Sequence, residues 1–277
     1  MIYLDNSATT PIHPEVLKAM MPYLKGGYGN AGAVYRIGRE SAKAIQKARE
    51  QVAQLFNASA DQIVFTSGGS EGNNMVFSYG MRCILEERGK KHVVISQIEH
   101  DSVYEAATHM FKPSGKVNIK DDFYTQFIHT KSDGTVDVKH LEALLDEDES
   151  IGLVSVMYVN NETGAVNPIN HIGEICRDRG ILFHTDCVQA AGCHPIDANI
   201  IGCDFATISG HKIYAPKGIG AIYIKDKTLA RSLIYGGTNQ EFGLRGGTEN
   251  VASIVGLGKA CDLICSDFGT QLSLIHI

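Results

Sequence analysis

Two short polar runs carry the residues best suited to covalent chemistry. Lys212 ends the run Ser209-Gly210-His211-Lys212, and Asp186 lies within the run 184–189. A lysine can form a Schiff base when burial lowers the pKa of its amine. An aspartate beside a pyridine nitrogen keeps that ring protonated, so that the ring withdraws electrons. Either residue alone would indicate a surface position, but the two together, each after an apolar run, predict pyridoxal phosphate chemistry.

Apolar runs and helical periodicity alternate along the chain. Residues 38–56 place their apolar side chains near one helical face, with Asn57 as a predicted stop, and residues 138–145 are also expected to be helical. The rest of 116–150 is polar and is predicted to be irregular. Six apolar runs predict buried strands: 63–65, 92–96, 152–159, 181–184, 205–208 and 219–224. Strands separated by helices indicate an α/β fold with a mostly parallel sheet covered on both faces.

Five of the predicted strands are followed by a polar residue able to bind a ligand. These residues are Ser70, His100, Asn161, Asp186 and Lys212. Ligands of mostly parallel sheets bind beyond the carboxyl ends of the strands. Packing alone does not explain five such groups after five separate strands, so the pattern predicts one shared site.

Composition excludes several classes of protein. The 277 residues are 44% hydrophobic, enough for one large domain, and the net charge of −6 argues against a nucleic-acid or anionic-membrane partner. The sequence shows no apolar run long enough to span a membrane and no N-terminal leader, and it predicts a cytoplasmic protein. The seven cysteines lack the spacing of metal ligands, so no metal site is expected; Cys261 and Cys265 are interpreted as small buried hydrophobic residues.

Several motifs resemble those of the cysteine desulfurases, in particular the branch that serves iron–sulfur cluster assembly. They are the runs 3–11, 160–164, 184–189 and 209–212. The resemblance covers residues 1–260. It implies a homodimeric pyridoxal-phosphate-dependent transferase of fold type I, with a mostly parallel central sheet flanked by helices. Such an enzyme converts L-cysteine to L-alanine and transfers the sulfur, as an enzyme persulfide, to an acceptor or scaffold protein.

The resemblance also implies roles for the residues around the cofactor ring. Lys212 would hold the cofactor as a Schiff base and move protons, and Asp186 would pair with the pyridinium nitrogen. Gln189, expected on the same helical face as Asp186, would reach the phenolate oxygen. His100 would stack on the ring and take part in acid–base steps. From the residues alone, Asp186 could equally cap a helix and His100 could make an ordinary polar contact.

Donors for the cofactor phosphate are expected at a helix N-terminus. Gly69 and Ser70 open a predicted helix, whose backbone N–H groups and dipole favour an anion, although by themselves they could be a glycine-rich turn without a ligand. The resemblance implies that five other residues or runs complete the site: Ser209 and His211 on the phosphate, Thr248 on the phosphate of the neighbouring subunit, Asn161 on the substrate carboxylate, and residues 6–9 at the entrance.

The chain departs from the family in two places. The loop 30–35 has an unusual sequence, so the pocket is expected to differ in shape there. The sulfur-accepting cysteine loop and the arginine that binds the substrate carboxylate have no counterpart, and Cys187 is interpreted as a core residue. We therefore predict an N-terminal segment (1–15) near the site, a large cofactor-binding domain (16–257), and the start of a linker helix to an incomplete small domain (258–277). The final residues, 271–277, resemble translated artefactual sequence.

Three functions remain open at this point. The first is a cysteine desulfurase whose 277 residues bind pyridoxal phosphate but turn over cysteine poorly alone. The second is a selenocysteine lyase or another class V aminotransferase. The third is a non-catalytic fragment that dimerises or serves as a scaffold.

Overall fold

The computed structural model describes residues 2–113 and 123–274, and in these residues one mixed sheet forms the centre of the fold. Its eight described strands are β1 (Ile63–Thr66), β2 (His92–Ser96), β3 (Lys112–Pro113), β4 (Tyr124–Ile128), β5 (Ile151–Ser155), β6 (Leu182–Asp186), β7 (Phe205–Ser209) and β8 (Gly220–Ile224). Their order in the sheet is β1-β8-β7-β6-β5-β2-β4-β3. β8 runs antiparallel to β1 and β7, and the other pairs are parallel, which confirms the predicted mostly parallel sheet.

Helices cover both faces of this sheet. Within the described residues they are α1 (Pro14–Lys25), α2 (Arg36–Leu55), α3 (Gly69–Val76), α4 (Tyr79–Glu87), α5 (Asp101–Met110), α6 (Val138–Glu147), α7 (Ile169–Asp178), α8 (Ala198–Ile201) and α9 (Val251–Leu274). Alternate residues of β2 enter two separate cores, because side chains along a strand point to opposite faces. Val94 packs in the core formed with α1, α2, α6, α7, α8 and α9. Val93 and Ile95 pack in the core formed with α3, α4 and α5.

The helix α2 confirms the periodicity of residues 38–56. Ile45, Val52 and Leu55 are buried, whereas the charged side chains of Lys43 and Glu50 are exposed. The helix ends before Asn57, which has a positive φ of 49°. Asparagine tolerates this left-handed conformation better than most residues, so the predicted stop has a local physical cause.

The stretch predicted to be irregular contains a strand, and this expectation was wrong. β4 lies within 116–150 and pairs with β2 and β3. Its polar residue Thr125 is fully buried, and its hydroxyl donates to the carbonyl oxygen of Phe111 at 2.7 Å, with that of Ala107 at 3.2 Å. The strand was missed because the prediction counted apolar residues, and a threonine that is buried with its hydrogen bonds satisfied counts as polar. Residues 116–122 of the same prediction lie outside the described residues.

The last helix packs against the first two. α9 contacts both α1 and α2, and Cys261 in its middle is fully buried, while Cys265 is half-buried. The predicted domain boundary at residue 258 falls inside this continuous helix, so that division remains a prediction. Residues 275–277 of the predicted tail lie outside the described part of the chain. Among the described helices, α9 included, none is long and apolar enough to cross a membrane.

Candidate active site

A cavity of about 510 Å³ opens where the loops following β1, β2, β5, β6 and β7 meet. Nine of the residues singled out in the sequence line it: Gly69, Ser70, His100, Asn161, Asp186, Gln189, Ser209, His211 and Lys212. They come from five separate strand ends, and the fold brings them together because parallel strands present their carboxyl ends at one edge. The predicted shared site is therefore present as a cavity.

The N-terminus of α3 forms one wall of this cavity. Gly69 begins the helix and Ser70 follows it, so their backbone N–H groups have no acceptor within the helix. A side chain at Gly69 would place its Cβ 2.8 Å from Cγ2 of Val188 and 3.5 Å from Cβ of Ser209. Glycine is needed here because neighbouring elements approach the backbone closely. The result is a positive helix end that can bind an anion.

Asp186 is the last residue of β6, and its carboxylate is buried beside the cavity. Asn73 Nδ2 donates to its Oδ2 at 2.8 Å, and the backbone N–H of Val188 donates to its Oδ1 at 2.8 Å. Burial raises the pKa of Asp186, although these hydrogen bonds and the charges of His100 and Lys212 oppose that shift. A buried carboxylate of this kind gains most from a cationic partner such as a protonated ring nitrogen.

The chain after Asp186 continues as turns, so the prediction that Gln189 shares a helical face with Asp186 was wrong. The backbone N–H of Cys187 donates to the carbonyl oxygen of Thr207 on β7. The backbone N–H of Ala190 donates to the carbonyl oxygen of Cys187. The first bond ties the segment to β7, and the second closes a turn. Gln189 still reaches the cavity, where its Nε2 donates to the carbonyl oxygen of Ser7 at 3.0 Å.

Lys212 lies in a single 3₁₀ turn, Gly210–Lys212, directly after β7. Its Nζ donates to the carbonyl oxygens of Ser7 and Ala8. Burial lowers the pKa of the amine, and the negative charges of Asp5 and Asp186 partly offset this effect. The amine is therefore more readily neutral than that of an exposed lysine, which is what a nucleophilic lysine requires.

The N-terminal segment lies against this turn. Thr10 donates its backbone N–H to the carbonyl oxygen of His211 at 2.9 Å, and Thr9 Oγ1 lies 3.1 Å from His211 Nδ1. Burial lowers the pKa of His211, and the charges of Lys212 and Lys217 add to that shift. Asp5, Ser7 and Ala8 line the main cavity, and Thr9 lines an adjoining one.

Two predicted polar groups line the cavity on the loops after β2 and β5. His100 caps the N-terminus of α5, and its Nδ1 accepts the backbone N–H of Ser102 at 3.0 Å. Asn161 Nδ2 donates to Glu162 Oε1 at 2.7 Å. Both side chains retain polar atoms that can face a ligand, because each has a second nitrogen or oxygen outside these contacts.

Two predicted features lie outside the main cavity. Thr248 is exposed and lines a separate cavity of about 180 Å³ with Ser67 and Gly218, so its predicted contact with a neighbouring subunit remains a prediction. Residues 30–32 line another cavity of about 290 Å³, beside Arg49. The unusual loop at 30–35 therefore does not contribute to the described wall of the main cavity.

The structure adds two residues that the sequence analysis missed. Asn73, fully buried, lies four residues after Gly69 and on the same face of α3, a spacing that could have indicated it. Glu99 precedes His100, and its carboxyl accepts hydrogen bonds from Ser96 Oγ and from the backbone N–H of Met157. Burial raises the pKa of Glu99 to about 8, and the charge of Asp186 adds to the shift. No local pattern predicts this burial.

The cysteines do not line the main cavity. All seven are described, none is part of a disulfide, and none lines the main cavity. Cys187 is fully buried, which confirms its interpretation as a core residue, and burial raises the pKa of its thiol. Its low exposure and raised pKa make it a poor nucleophile.

The donor set fits pyridoxal phosphate. The α3 N-terminus with Ser70, Ser209 and His211 offers donors to a phosphate, and Asp186 offers a buried carboxylate to a ring nitrogen. Lys212 supplies an amine in the same cavity. The volume lies within the range of about 300–1,000 Å³ that is typical of sites for small molecules and cofactors.

Comparisons with known proteins agree with this chemistry. A curated cysteine desulfurase of Nostoc sp. is 43% identical, and the alignment covers 100% of this chain and 64% of the relative. Cysteine desulfurase IscS of Dictyoglomus turgidum is 42% identical, with 98% of this chain and 66% of the relative covered. This chain therefore spans a little under two thirds of the length of these relatives.

Solved structures show the same fold. A NifS-like protein superposes with a TM-score of 0.88 and 33% identity, covering 97% of this chain and 70% of the other. A structure described as SspA in complex with cysteine gives a TM-score of 0.86 and 35% identity, covering 95% and 72%. The family model for aminotransferase class-V matches residues 2–276. By sequence, fold and cavity, this chain belongs to the aminotransferase class-V family.

Proposed function

We propose that this chain is the cofactor-binding part of a cysteine desulfurase that converts L-cysteine to L-alanine and passes the sulfur to a thiol. The observation that carries the proposal is the meeting of Lys212, Asp186 and the α3 N-terminus in one cavity. The identity to curated cysteine desulfurases, 43% for the Nostoc protein, supports the substrate class. So does the cysteine named in the description of the SspA complex.

The cofactor is pyridoxal phosphate, on which members of this family depend. When bound, it withdraws electrons from the substrate α-carbon and so weakens the bond to the α-proton. Gly69, Ser70, Ser209 and His211 would hold its phosphate, Gln189 would bind a substituent of its ring, and His100 would pack on the ring. Asp186 would keep the ring nitrogen protonated, because a buried carboxylate is stabilised by an adjacent positive charge.

Lys212 carries out the proton transfers. Burial lowers the pKa of its amine, which increases the neutral fraction available to accept the α-proton at Nζ. The carbonyl oxygens of Ser7 and Ala8 hold that nitrogen in place. Asn161, on the loop after β5, orients the substrate carboxylate through its amide.

A thiol from outside the main cavity completes the sulfur transfer. The thiolate attacks the substrate sulfur, so that an S–S bond forms and the C–S bond breaks, and Cβ takes up a proton. Cysteine plus a thiol thus gives alanine plus a persulfide, and no oxidant is needed. Among the described residues, which include all seven cysteines, no thiol lines the cavity. The acceptor thiol is therefore supplied from outside these seven cysteines.

The assembly and cellular setting are part of the same proposal. Thr248 is exposed outside the main cavity, as it must be if it contacts the phosphate of a neighbouring subunit in a homodimer. Seven cysteines without a disulfide suit a reducing compartment such as the cytoplasm. The sulfur serves iron–sulfur cluster assembly or thiolation through an acceptor or scaffold protein.

The substitution Lys212→Ala tests the proposal. The full chain is incubated with pyridoxal phosphate, and the visible absorbance of the lysine-bound cofactor is recorded. We expect the band in the parent chain and in the control Lys18→Ala, whose lysine is exposed on α1, and no band in Lys212→Ala. An unchanged band in Lys212→Ala would refute the assignment of the lysine.

Substrate tests separate the alternatives. With a small dithiol as sulfur acceptor, cysteine should give alanine and sulfide. Faster release from selenocysteine than from cysteine would favour a selenocysteine lyase, and pyruvate formed from alanine would favour an aminotransferase. A chain that self-associates without binding the cofactor would be the non-catalytic fragment.

A further inference from the structure

A chain of hydrogen bonds connects Asp186 to His100 along the wall of the cavity. Asn73 Nδ2 donates to Asp186 Oδ2 at 2.8 Å and to Ser102 Oγ at 2.9 Å. Ser102 Oγ in turn lies 2.8 Å from His100 Nδ1. A primary amide nitrogen has two hydrogens, so Asn73 can make both of its contacts at once. Asp186 and His100, which line the same cavity, are thereby linked through two intervening side chains.

The acceptor at Asp186 fixes the orientation of the Asn73 amide. If the amide were reversed, its Oδ1 would face the carboxylate oxygen of Asp186, and two acceptors would be in contact. Asn73 is fully buried, and its Oδ1 has no hydrogen-bond partner among the described residues. The amide therefore takes its orientation from its two donor contacts rather than from its oxygen.

This orientation leaves the Ser102 hydroxyl hydrogen free, and the backbone N–H of Ser102 then decides the direction of the bond between Ser102 Oγ and His100. Ser102 Oγ accepts a hydrogen from Asn73, so its own hydroxyl hydrogen is free to be donated to His100 Nδ1. The backbone N–H of Ser102 donates to the same Nδ1 at 3.0 Å. A ring nitrogen that accepts from two donors carries no hydrogen. Neutral His100 must then carry its hydrogen on Nε2.

We propose that Ser102 and Asn73 are positioning residues that hold neutral His100 as the Nε2–H tautomer and tie its orientation to that of Asp186. His100 is the N-cap of α5, so the cap of the helix and the tautomer of the ring are set by the same nitrogen. Nδ1 is committed to the helix, and Nε2 is the nitrogen left to exchange a proton in the cavity. The consequence for catalysis rests on the proposed function, whereas the tautomer itself does not.

Nitrogen NMR of the imidazole side chains in the full chain without cofactor tests the tautomer directly. The His100 signals are identified by their loss in His100→Gln. We expect a pyridine-type signal at Nδ1 and a pyrrole-type signal at Nε2. The reverse pattern in the parent chain would overturn the proposal without any variant of the network.

Two variants of Ser102 test the role of its hydroxyl. In Ser102→Ala only the backbone donor remains, so the Nδ1 signal should move toward the pyrrole type, and Ser102→Thr should restore it. The control is Ser78→Ala, which removes a serine cap from α4 without touching this network. His100 signals that are identical in the parent chain and Ser102→Ala would show that the hydroxyl does not set the tautomer.

A kinetic measurement tests the consequence in the cofactor-loaded protein. Loss of one such hydrogen bond should lower kcat for alanine formation about three- to tenfold in Ser102→Ala, with KM unchanged and with recovery in Ser102→Thr. An unchanged kcat would refute the positioning role. If the parent chain shows no absorbance band with pyridoxal phosphate, the proposed function fails, but the NMR result still decides the tautomer.

Discussion

Replacing Glu99 with glutamine should remove a loss of stability that the cofactor-free protein shows as the pH rises from 6.5 to 8. The Glu99 carboxyl accepts hydrogen bonds from Ser96 and Met157, but its Oε2 has no partner among the described residues. Burial raises the pKa of Glu99 from its ordinary 4.5 to about 8, with a further contribution from Asp186. The ionised form is therefore disfavoured in the folded protein only.

The sign and size of the effect follow from proton linkage. Between pH 4.5 and about 8 the folded protein keeps a proton on Glu99 that the unfolded chain has lost. Stability contributed by the neutral carboxyl is therefore fully present below pH 4.5, falls as the pH rises, and stays constant above about pH 8. The slope is at most about 1.4 kcal/mol per pH unit, and the whole effect is at most about 5 kcal/mol.

A second buried group defines the useful pH window. Burial lowers the pKa of His184 to about 3 from its ordinary 6.5, so its contribution to stability rises with pH up to 6.5 and is constant above. From pH 6.5 to 8 the effect of Glu99 is not opposed by His184. Burial also raises the pKa of Asp186 and Asp204, but both are present in the parent chain and in the variant.

Urea unfolding at several pH values from 6.5 to 8 provides the measurement. The parent chain should lose about 2 kcal/mol more across this window than Glu99→Gln. The control Glu105→Gln changes an exposed carboxylate on α5 and should reproduce the slope of the parent chain. Parallel stability curves for Glu99→Gln and the parent chain would refute the reasoning, whatever their absolute offset.

Two further predictions concern a buried ion pair away from the main cavity and the wall of that cavity. In the parent chain a guanidinium nitrogen of buried Arg49 lies 2.7 Å from Glu241 Oε1. Glu241→Gln removes this counter-charge and should lower the free energy of unfolding by about 3–5 kcal/mol. Urea denaturation measures this loss. The control Glu40→Gln breaks an exposed ion pair with Arg36, which is worth about 0–1 kcal/mol. An equal loss of stability in both variants would contradict the prediction. Gly69→Ala should weaken binding of pyridoxal phosphate about tenfold or more, because its Cβ would press on Val188. A titration with pyridoxal phosphate should show unchanged affinity in the control Gly26→Ala, where an added Cβ meets nothing within 4 Å. Unchanged affinity in Gly69→Ala would refute the prediction, because it would mean that Val188 moves aside.

The sequence itself determined the positions of six of the eight described strands, all except β3 and β4, and of the main site residues. The predicted strand 92–96 matches β2 residue for residue, because a short apolar run between polar segments has few other ways to be buried. Each of five predicted polar residues follows a strand, and the carboxyl ends of parallel strands lie at one edge of the sheet. One cavity is therefore lined by Ser70, His100, Asn161, Asp186 and Lys212. Local sequence is enough to predict a residue's position when that position depends only on the strand or helix to which the residue belongs.

The tertiary structure alone decided the contacts between elements. Asn73 and Asp186 are 113 residues apart, and their hydrogen bond exists only because α3 packs beside β6. The buried state of Glu99 depends on Met157 from another loop, and the turns that present Gln189 depend on a bond from Cys187 to β7. Burial, pKa and the direction of a hydrogen bond are properties of a residue's neighbours in space. Sequence therefore placed the reactive groups, and packing set their protonation and orientation.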